Sequence, residues 1–364
     1  MKKLTAVAVA LLAATSAAQA AEVYKNEQMA LDMYGRIYAG QFFGEKKNHS
    51  EDYSAKVGAN QFIRFGVKAD SAISGTLKAV GQYEAQFNIG DSEKINNVSC
   101  TTTEATDGTH STTCQDDKIR TRLAFAGLKS ESWGQVTFGR QKGAISQIAD
   151  WTDVALSDGY GADALGHGAD KFGTGRSSDL LKYSATFGGF KGEASYKFDG
   201  NTTEEKTSSS ADAAYGISAS YTLENGLGFG AGYNVGQRDK AGENDAKLAI
   251  VGVMFDNKSL YAALNYADGT DYLATGTDHT GWEAALGYNF ANGFGLMAVY
   301  DKQESDKAGT KTDTVDYYTL GAQYKFNKSL RVIGEYRIQG LEGKSDSSAE
   351  AVENDYQLAA RYDF

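Results

Sequence analysis

Proline is absent from all 364 residues, where average usage of about 5% would supply roughly 18. Proline cannot donate a ladder hydrogen bond and is confined to sheet edges, so its absence suits a chain of paired strands without an edge. Cysteine is nearly absent too, at two residues, which excludes a disulfide-dense scaffold and any cysteine-rich metal site. The four histidines, His49, His110, His167 and His279, show no His-x-x-x-His spacing and fall in loop-like segments, where they read as solvated; no metal site is expected. After the N-terminus no apolar run approaches the roughly 18 residues of a membrane helix. Basic residues are outnumbered 36 to 47, and a chain without a basic surplus is a poor nucleic-acid binder. Phosphate-cradling loops and nucleophile elbows are missing, so no catalytic residue is assigned and no cofactor is needed. Asp278-His279 is the one adjacent acid–histidine pair, as chance alone provides.

What is present is alternation. In the closing run Tyr356, Leu358, Ala360, Tyr362 and Phe364 share one side while Gln357, Arg361 and Asp363 share the other, the period of a strand with lipid outside and water inside. At the other end Lys2 and Lys3 precede an apolar stretch from Leu4 to Leu12, and Ala18-Gln19-Ala20 fits the small-x-small pattern read before signal cleavage. Residues 1–20 are therefore expected to be removed, leaving 21–364 with 34 basic and 47 acidic residues, a balance of −13. With no spanning helix available, strands closed into a ring must cross the lipid, which points to the outer membrane of a Gram-negative bacterium. A mean hydropathy of −0.44 is compatible, because only alternate strand residues face lipid.

Period-two segments from 31–40 to 355–364 predict an all-β chain, a 16-stranded antiparallel transmembrane barrel. Lipid-facing registers include Ile63, Phe65 and Val67; Trp282, Leu286 and Tyr288; and Leu320, Tyr324 and Phe326, with polar inward positions such as Gln82, Glu84 and Gln86. Short connections such as Glu224-Asn225-Gly226 and Asn327-Lys328-Ser329 suit tight periplasmic hairpins. Long external loops are expected near 41–60, 88–119, 141–175, 199–212, 235–245, 267–279, 301–315 and 339–354. A soluble two-sheet β protein would also give period two, but not with a signal segment, no proline and a terminal aromatic strand.

The pieces Ala21-Glu22-Val23-Tyr24, Asp32-Met33-Tyr34-Gly35-Arg36, Ile63-Arg64-Phe65-Gly66, Phe138-Gly139-Arg140 and Tyr362-Asp363-Phe364, and above all Thr121 to Leu128, resemble the trimeric general diffusion porins of enteric bacteria and vibrios. The resemblance covers the whole mature chain. It implies a homotrimer in contact with outer-membrane lipid and lipopolysaccharide, and an inward-folded third loop, here about 141–175, that narrows the pore. The matching basic wall positions are Arg36, Arg64 and Arg122, with Arg176 at the start of the sixth strand; Asp153, Asp158 and Asp163 are the acidic counterparts, beside Asp150 and Asp170. Alternation independently turns Arg64 and Arg122 inward, since an arginine facing mid-membrane lipid costs about 2–4 kcal/mol. The family's loop commonly carries a Pro-Glu-Phe-Gly-Gly-type piece, where this chain reads Ala155-Leu156-Ser157-Asp158-Gly159-Tyr160-Gly161. Arg140 breaks parity, consistent either with cover by a neighbouring subunit or with a strand that ends at Gly139. Tyr362 and Phe364 resemble the terminal signal read by the outer-membrane assembly machinery and, unassembled, by envelope-stress proteases.

Cys100 and Cys114 form an even pair in an exported chain, expected as a disulfide closing a loop of about 15 residues, worth roughly 3 kcal/mol in the chain-entropy model. The functional expectation is passive diffusion of small hydrophilic solutes and ions with mild cation preference. An adhesin or receptor barrel and, behind it, a rim-site barrel hydrolase are the alternatives.

Overall fold

A computed structural model describes residues 21–44, 58–89, 99–104, 110–115, 119–168, 171–198, 213–238, 244–341 and 354–364. The segment 1–20, Asp170 and His49 lie outside them. The strands are β1 (Ala21–Lys25), β2 (Met29–Gly44), β3 (Gly58–Ser74), β4 (Leu77–Asn88), β5 (Ser99–Glu104), β6 (His110–Gln115), β7 (Ile119–Ser130), β8 (Gly134–Lys142), β9 (Arg176–Phe187), β10 (Phe190–Lys197), β11 (Ala214–Thr222), β12 (Leu227–Gly236), β13 (Ala246–Asp256), β14 (Leu260–Ala274), β15 (Thr277–Asn289), β16 (Phe294–Lys307), β17 (Thr310–Lys325), β18 (Leu330–Gln339) and β19 (Asp355–Asp363). Among the described residues, sixteen of these, β2 to β4 and β7 to β19, pair antiparallel in sequence order and close when β19 pairs with β2. Closure removes the ladder edges of the barrel, which lipid demands.

Side-chain alternation follows the expected registers. In β19 the outward Tyr356, Leu358 and Tyr362 are 44%, 54% and 44% exposed, whereas the inward Gln357 and Asp363 are 0% and 1%. Trp282, Leu286, Tyr288, Leu320, Tyr324 and Phe326 are likewise exposed on the outside. The outer aromatics cluster beside short turns, with Tyr288 against Phe290 and Tyr324 against Phe326 in edge-to-face contact, as an interfacial girdle requires.

The seam joins the first and last strands of the ring. Gly35 N donates to Phe364 O (2.8 Å) and Phe364 N to Gly35 O (3.1 Å). Further along the same edge of β2, Ala21 partners Met33 and Glu22 partners Asp32. β1 therefore continues the line of β19 along β2, with Tyr34 opposite the gap between the two strands.

Three expectations need correction. Segments 267–279 and 301–315 are not long loops: β14–β15 and β16–β17 continue as hairpins to Ala274/Thr277 and Lys307/Thr310. Polar side chains on both faces hide the period there, while cross-strand pairs such as Lys302–Asp313 (3.2 Å) and a turn with positive φ at Ala308 and Gly309 sustain the ladder. His279 is not solvated; it lies on β15, 2% exposed, its ring against Tyr272. Inward positions are not uniformly polar either. Leu248, Ile250 and Ala263 point inward because Ile145, Ile148 and Trp151 of the segment after β8 pack on them. Gly230 permits this approach, since an added Cβ would collide with Ile148 and Trp151. The segment 88–119 carries a small hairpin, β5–β6, in which Cys100 is the cross-strand partner of Cys114.

Candidate functional site

Segment 143–175 leaves the wall after β8, makes a short α-helix, α1 (Ser146–Ala149), and a 3-10 turn at Lys171–Gly173, and returns at Arg176. Its first part is held by apolar burial, at about 25 cal/mol per Å² of surface removed from water, and by Asn265 Nδ2 donating to Ile148 O (2.9 Å). Its second part is held by wall carboxylates accepting loop N–H groups. Glu335 on β18 accepts from Leu156 N (2.7 Å) and Ser157 N (2.8 Å), and also from the Ser157 hydroxyl. Glu283 on β15 accepts from Ala164 N (3.0 Å) and from Thr152 Oγ1, and Asp301 on β16 from Asp163 N (3.2 Å). Tyr160 OH donates to Asp355, which also receives Arg337 Nη2 at 2.6 Å. Each bond to a charged acceptor contributes about 1.5–3 kcal/mol, so the loop is tied at several points along its length.

These ties present Asp158 to the opposite stretch of wall. Arg64 Nη2 donates to Asp158 Oδ2 at 3.1 Å, and Arg36 Nη1 stands 4.0 Å from the same oxygen. Asp158 N accepts support from the wall by donating to Tyr38 OH (3.1 Å), and Asn60 Nδ2 donates to Asp158 O. Below them Arg36 Nε pairs with Asp363 (2.9 Å) and Arg122 Nε with Glu84 (2.6 Å). The register explains the row: Asp363, Arg36, Arg64 and Gln86 are successive cross-strand partners. Arg122 enters as the extra residue of a β-bulge opposite Glu84 and Ala85, the device that re-aims a side chain.

Arg36, Arg64 and Asp158 are thus brought together. Arg122 is near but answers Glu84. Asp153, Asp163, Arg176, Asp150 and His167 line a neighbouring recess of about 400 Å³ that Asp158 also borders. Asp150 is engaged by Lys142 Nζ (2.7 Å), and Asp163 accepts from Tyr317 OH, so neither is directed at the arginine row. Asp153 is exposed, yet enclosure by loop and wall and the neighbouring Asp150 raise its carboxyl above the ordinary range. His167 is not a solvated loop histidine as expected: its Nδ1 is buried, and enclosure pushes the imidazole down to about 4. Strand β8 does not end at Gly139: it bulges between Gly139 and Gln141 and runs on to Lys142, with Arg140 Nε donating to Thr121 O (2.8 Å).

Sequence reasoning missed the carboxylates that grip the loop. Glu283 and Glu335 occupy inward parity between outward Trp282 and Ala284, and between Gly334 and Tyr336, so their direction was readable although their partners were not.

A sixteen-stranded barrel encloses a water-filled passage, and the whole-chain comparison decides the family: a model described as Gram-negative porin matches residues 6–364. This chain belongs to that family. The porin is 29% identical to the outer membrane porin protein OmpD of Citrobacter koseri over 98% of this chain and 97% of that one. It is 30% identical to the outer membrane porin protein LC of Enterobacteria phage PA-2, over 98% and 97%. It is also 27% identical to the porin-like protein L of Photobacterium profundum, over 100% and 99%. In fold it is similar to Salmonella typhi OmpF in complex with daunomycin, with a TM-score of 0.78, 21% identity and coverage of 94% and 100%. It is similar as well to the trimer form of Vibrio cholerae OmpT, at 0.65, 19%, 93% and 100%. The protein is a channel of the outer membrane.

Proposed function

We propose that this porin passes small hydrophilic solutes and ions by passive diffusion with a mild preference for cations, and that segment 143–175 sets its narrowest point. The observation that carries this reading is the meeting of Asp158 with Arg64 and Arg36 across the lumen. A carboxylate facing guanidinium groups makes a transverse field in which water is ordered, so dipolar solutes align and apolar ones must strip that water to pass. In this reading Arg36, Arg64 and Arg122 form the basic side, Arg176 extends it, and Asp153, Asp158 and Asp163 form the acidic side. Diffusion of this kind calls for no catalytic group, metal or cofactor.

The working unit we infer is a homotrimer embedded in lipid and lipopolysaccharide, with small outward residues such as Ala39 letting walls approach. Cleavage before Ala21 fits the seam, because an uncleaved chain would have to leave β1 where β19 ends. Tyr362 and Phe364 then serve as the segment read by the assembly machinery and, in unassembled chains, by an envelope-stress protease. Planar-bilayer recording tests the core reading. Ohmic current that closes in three equal steps, with a zero-current potential favouring potassium in a KCl gradient, is the expected result. Chloride preference would end the selectivity claim, and absence of current would end the channel itself.

A further inference from the structure

Three cations stand directly opposite one another on the short-turn side of the lumen. Lys325 on β17 is the cross-strand partner of Arg331 on β18, which is the partner of Arg361 on β19. Like charges in directly opposed positions repel, and among the described residues the only carboxylate bonded to this row is Asp363. That one group accepts from Arg361 Nε (2.9 Å), Arg331 Nη2 (3.3 Å) and also Arg36 Nε (2.9 Å). Remaining contacts are neutral: Arg331 Nη1 to Gln323 Oε1 (3.4 Å) and Lys325 Nζ to Asn289 Oδ1 (3.3 Å). Arg361, only 7% exposed, buries an Nη2 that has no acceptor. The three cations of the row thus have one carboxylate among them, which Arg36 also engages, in contrast to the Arg122–Glu84 pairing nearby.

We propose that Lys325, Arg331 and Arg361 form a binding site for small oxyanions of the phosphate type. Guanidinium forks match the geometry of tetrahedral oxyanions, and an ammonium adds a point charge. The row faces water rather than lipid, since Tyr324, Val332 and Tyr362 between its members are the outward, exposed residues. Its ligand therefore arrives as a free solute through the pore and not as a lipid headgroup. The turn Phe326–Ser329 beside it lies on the same rim as the chain ends, so the site faces the periplasmic vestibule. This inference rests on the channel reading and gives it a direction: solute bearing an anionic group would dwell on one side of the narrowest point.

The test uses the full-length protein in detergent and in planar bilayers, with inorganic phosphate as probe. Titrated protein should broaden the phosphorus resonance of phosphate saturably, and phosphate added on the short-turn side should lower potassium current more than the same addition on the other side. Arg331→Gln with Arg361→Gln should weaken binding about tenfold or more, the scale of losing one charge-assisted contact. Lys325→Gln, a milder change that keeps both arginines, should weaken it less. Normal current without broadening, or broadening unchanged in both variants, overturns the site. Broadening without current would support the site while counting against the channel.

Discussion

On β2, β3 and β7 the inward Arg36, Arg64 and Arg122 keep 11%, 12% and 13% of their side chains exposed. On β15, β16 and β18 the inward Glu283, Asp301 and Glu335 are 0%, 0% and 3% exposed. One stretch of wall holds charge at the lumen surface, where a passing ion feels it. The other holds its carboxylates out of lumen water as acceptors for loop N–H groups, where an ion cannot contact them. Formal charge is thus a poor measure of pore charge in this porin, because part of the acidic surplus is buried under segment 143–175. Cation preference should follow the carboxylates still in contact with lumen water, and hence be mild.

Breaking the buried side should have the largest effect. Glu335→Ala removes the acceptor for two loop amides and a hydroxyl just before Asp158, at a cost of about 3 kcal/mol or more. Thermal unfolding should shift down and single-channel current should rise and become noisy, as Asp158 drifts from Arg64. Unaltered current with a normal melting transition would show that the apolar anchor alone positions the loop. Removing the exposed side should change conduction with little loss of stability. Arg64→Ala is expected to enlarge conductance and strengthen cation preference. Arg122→Ala, which leaves Glu84 without its partner, should alter preference more than conductance. Identical values for both variants and the native protein would remove these arginines from the constriction.

A smaller effect separates the loop acids. Asp158→Asn should reduce cation preference more than Asp153→Asn, since Asp158 is the one facing the arginine row. Because the Asp153 carboxyl is held above its ordinary range, it gains a proton earlier than an ordinary carboxylate as pH falls. Acidification should therefore lessen the preference, and Asp153→Asn should flatten the early part of that dependence; reversal potentials measured across a pH series decide it. His167, pushed down to about 4, stays neutral until the pH has fallen well below the usual histidine range. The smallest effect concerns Cys100 and Cys114, whose cross-strand position suits a disulfide. The unreduced protein should weigh two hydrogens less than the reduced form, and reduction should leave barrel and current intact, because the closed ladder supplies stability.

The ring was legible because lipid imposes a period of two on every spanning strand, and Tyr356 through Phe364 display it without interruption. The hairpins at 274–277 and 307–310 were not, since above the membrane no apolar face marks the register. Arg64 was legible by parity and by resemblance, and its partner Asp158 lay within a predicted acidic segment. Which of several acids would meet it depended on Glu335 and Tyr38, residues far away in sequence whose convergence no local pattern encodes. The inward Leu248 and Ile250 fit a polar lumen only because Ile145 and Trp151, about a hundred residues away in sequence, cover them.

The seam sets an order of events. Asp363 bonds Arg36 across a sequence separation of 327 residues, so the pairing that completes the wall joins the first and last strands of the ring. Until β19 meets β2 the ladder cannot close, so a partly assembled barrel carries two open sheet edges. Contacts of such separation form slowly, and unpaired edges invite pairing with other chains. Protection of the chain in transit is therefore a requirement written into the pairing of β2 with β19.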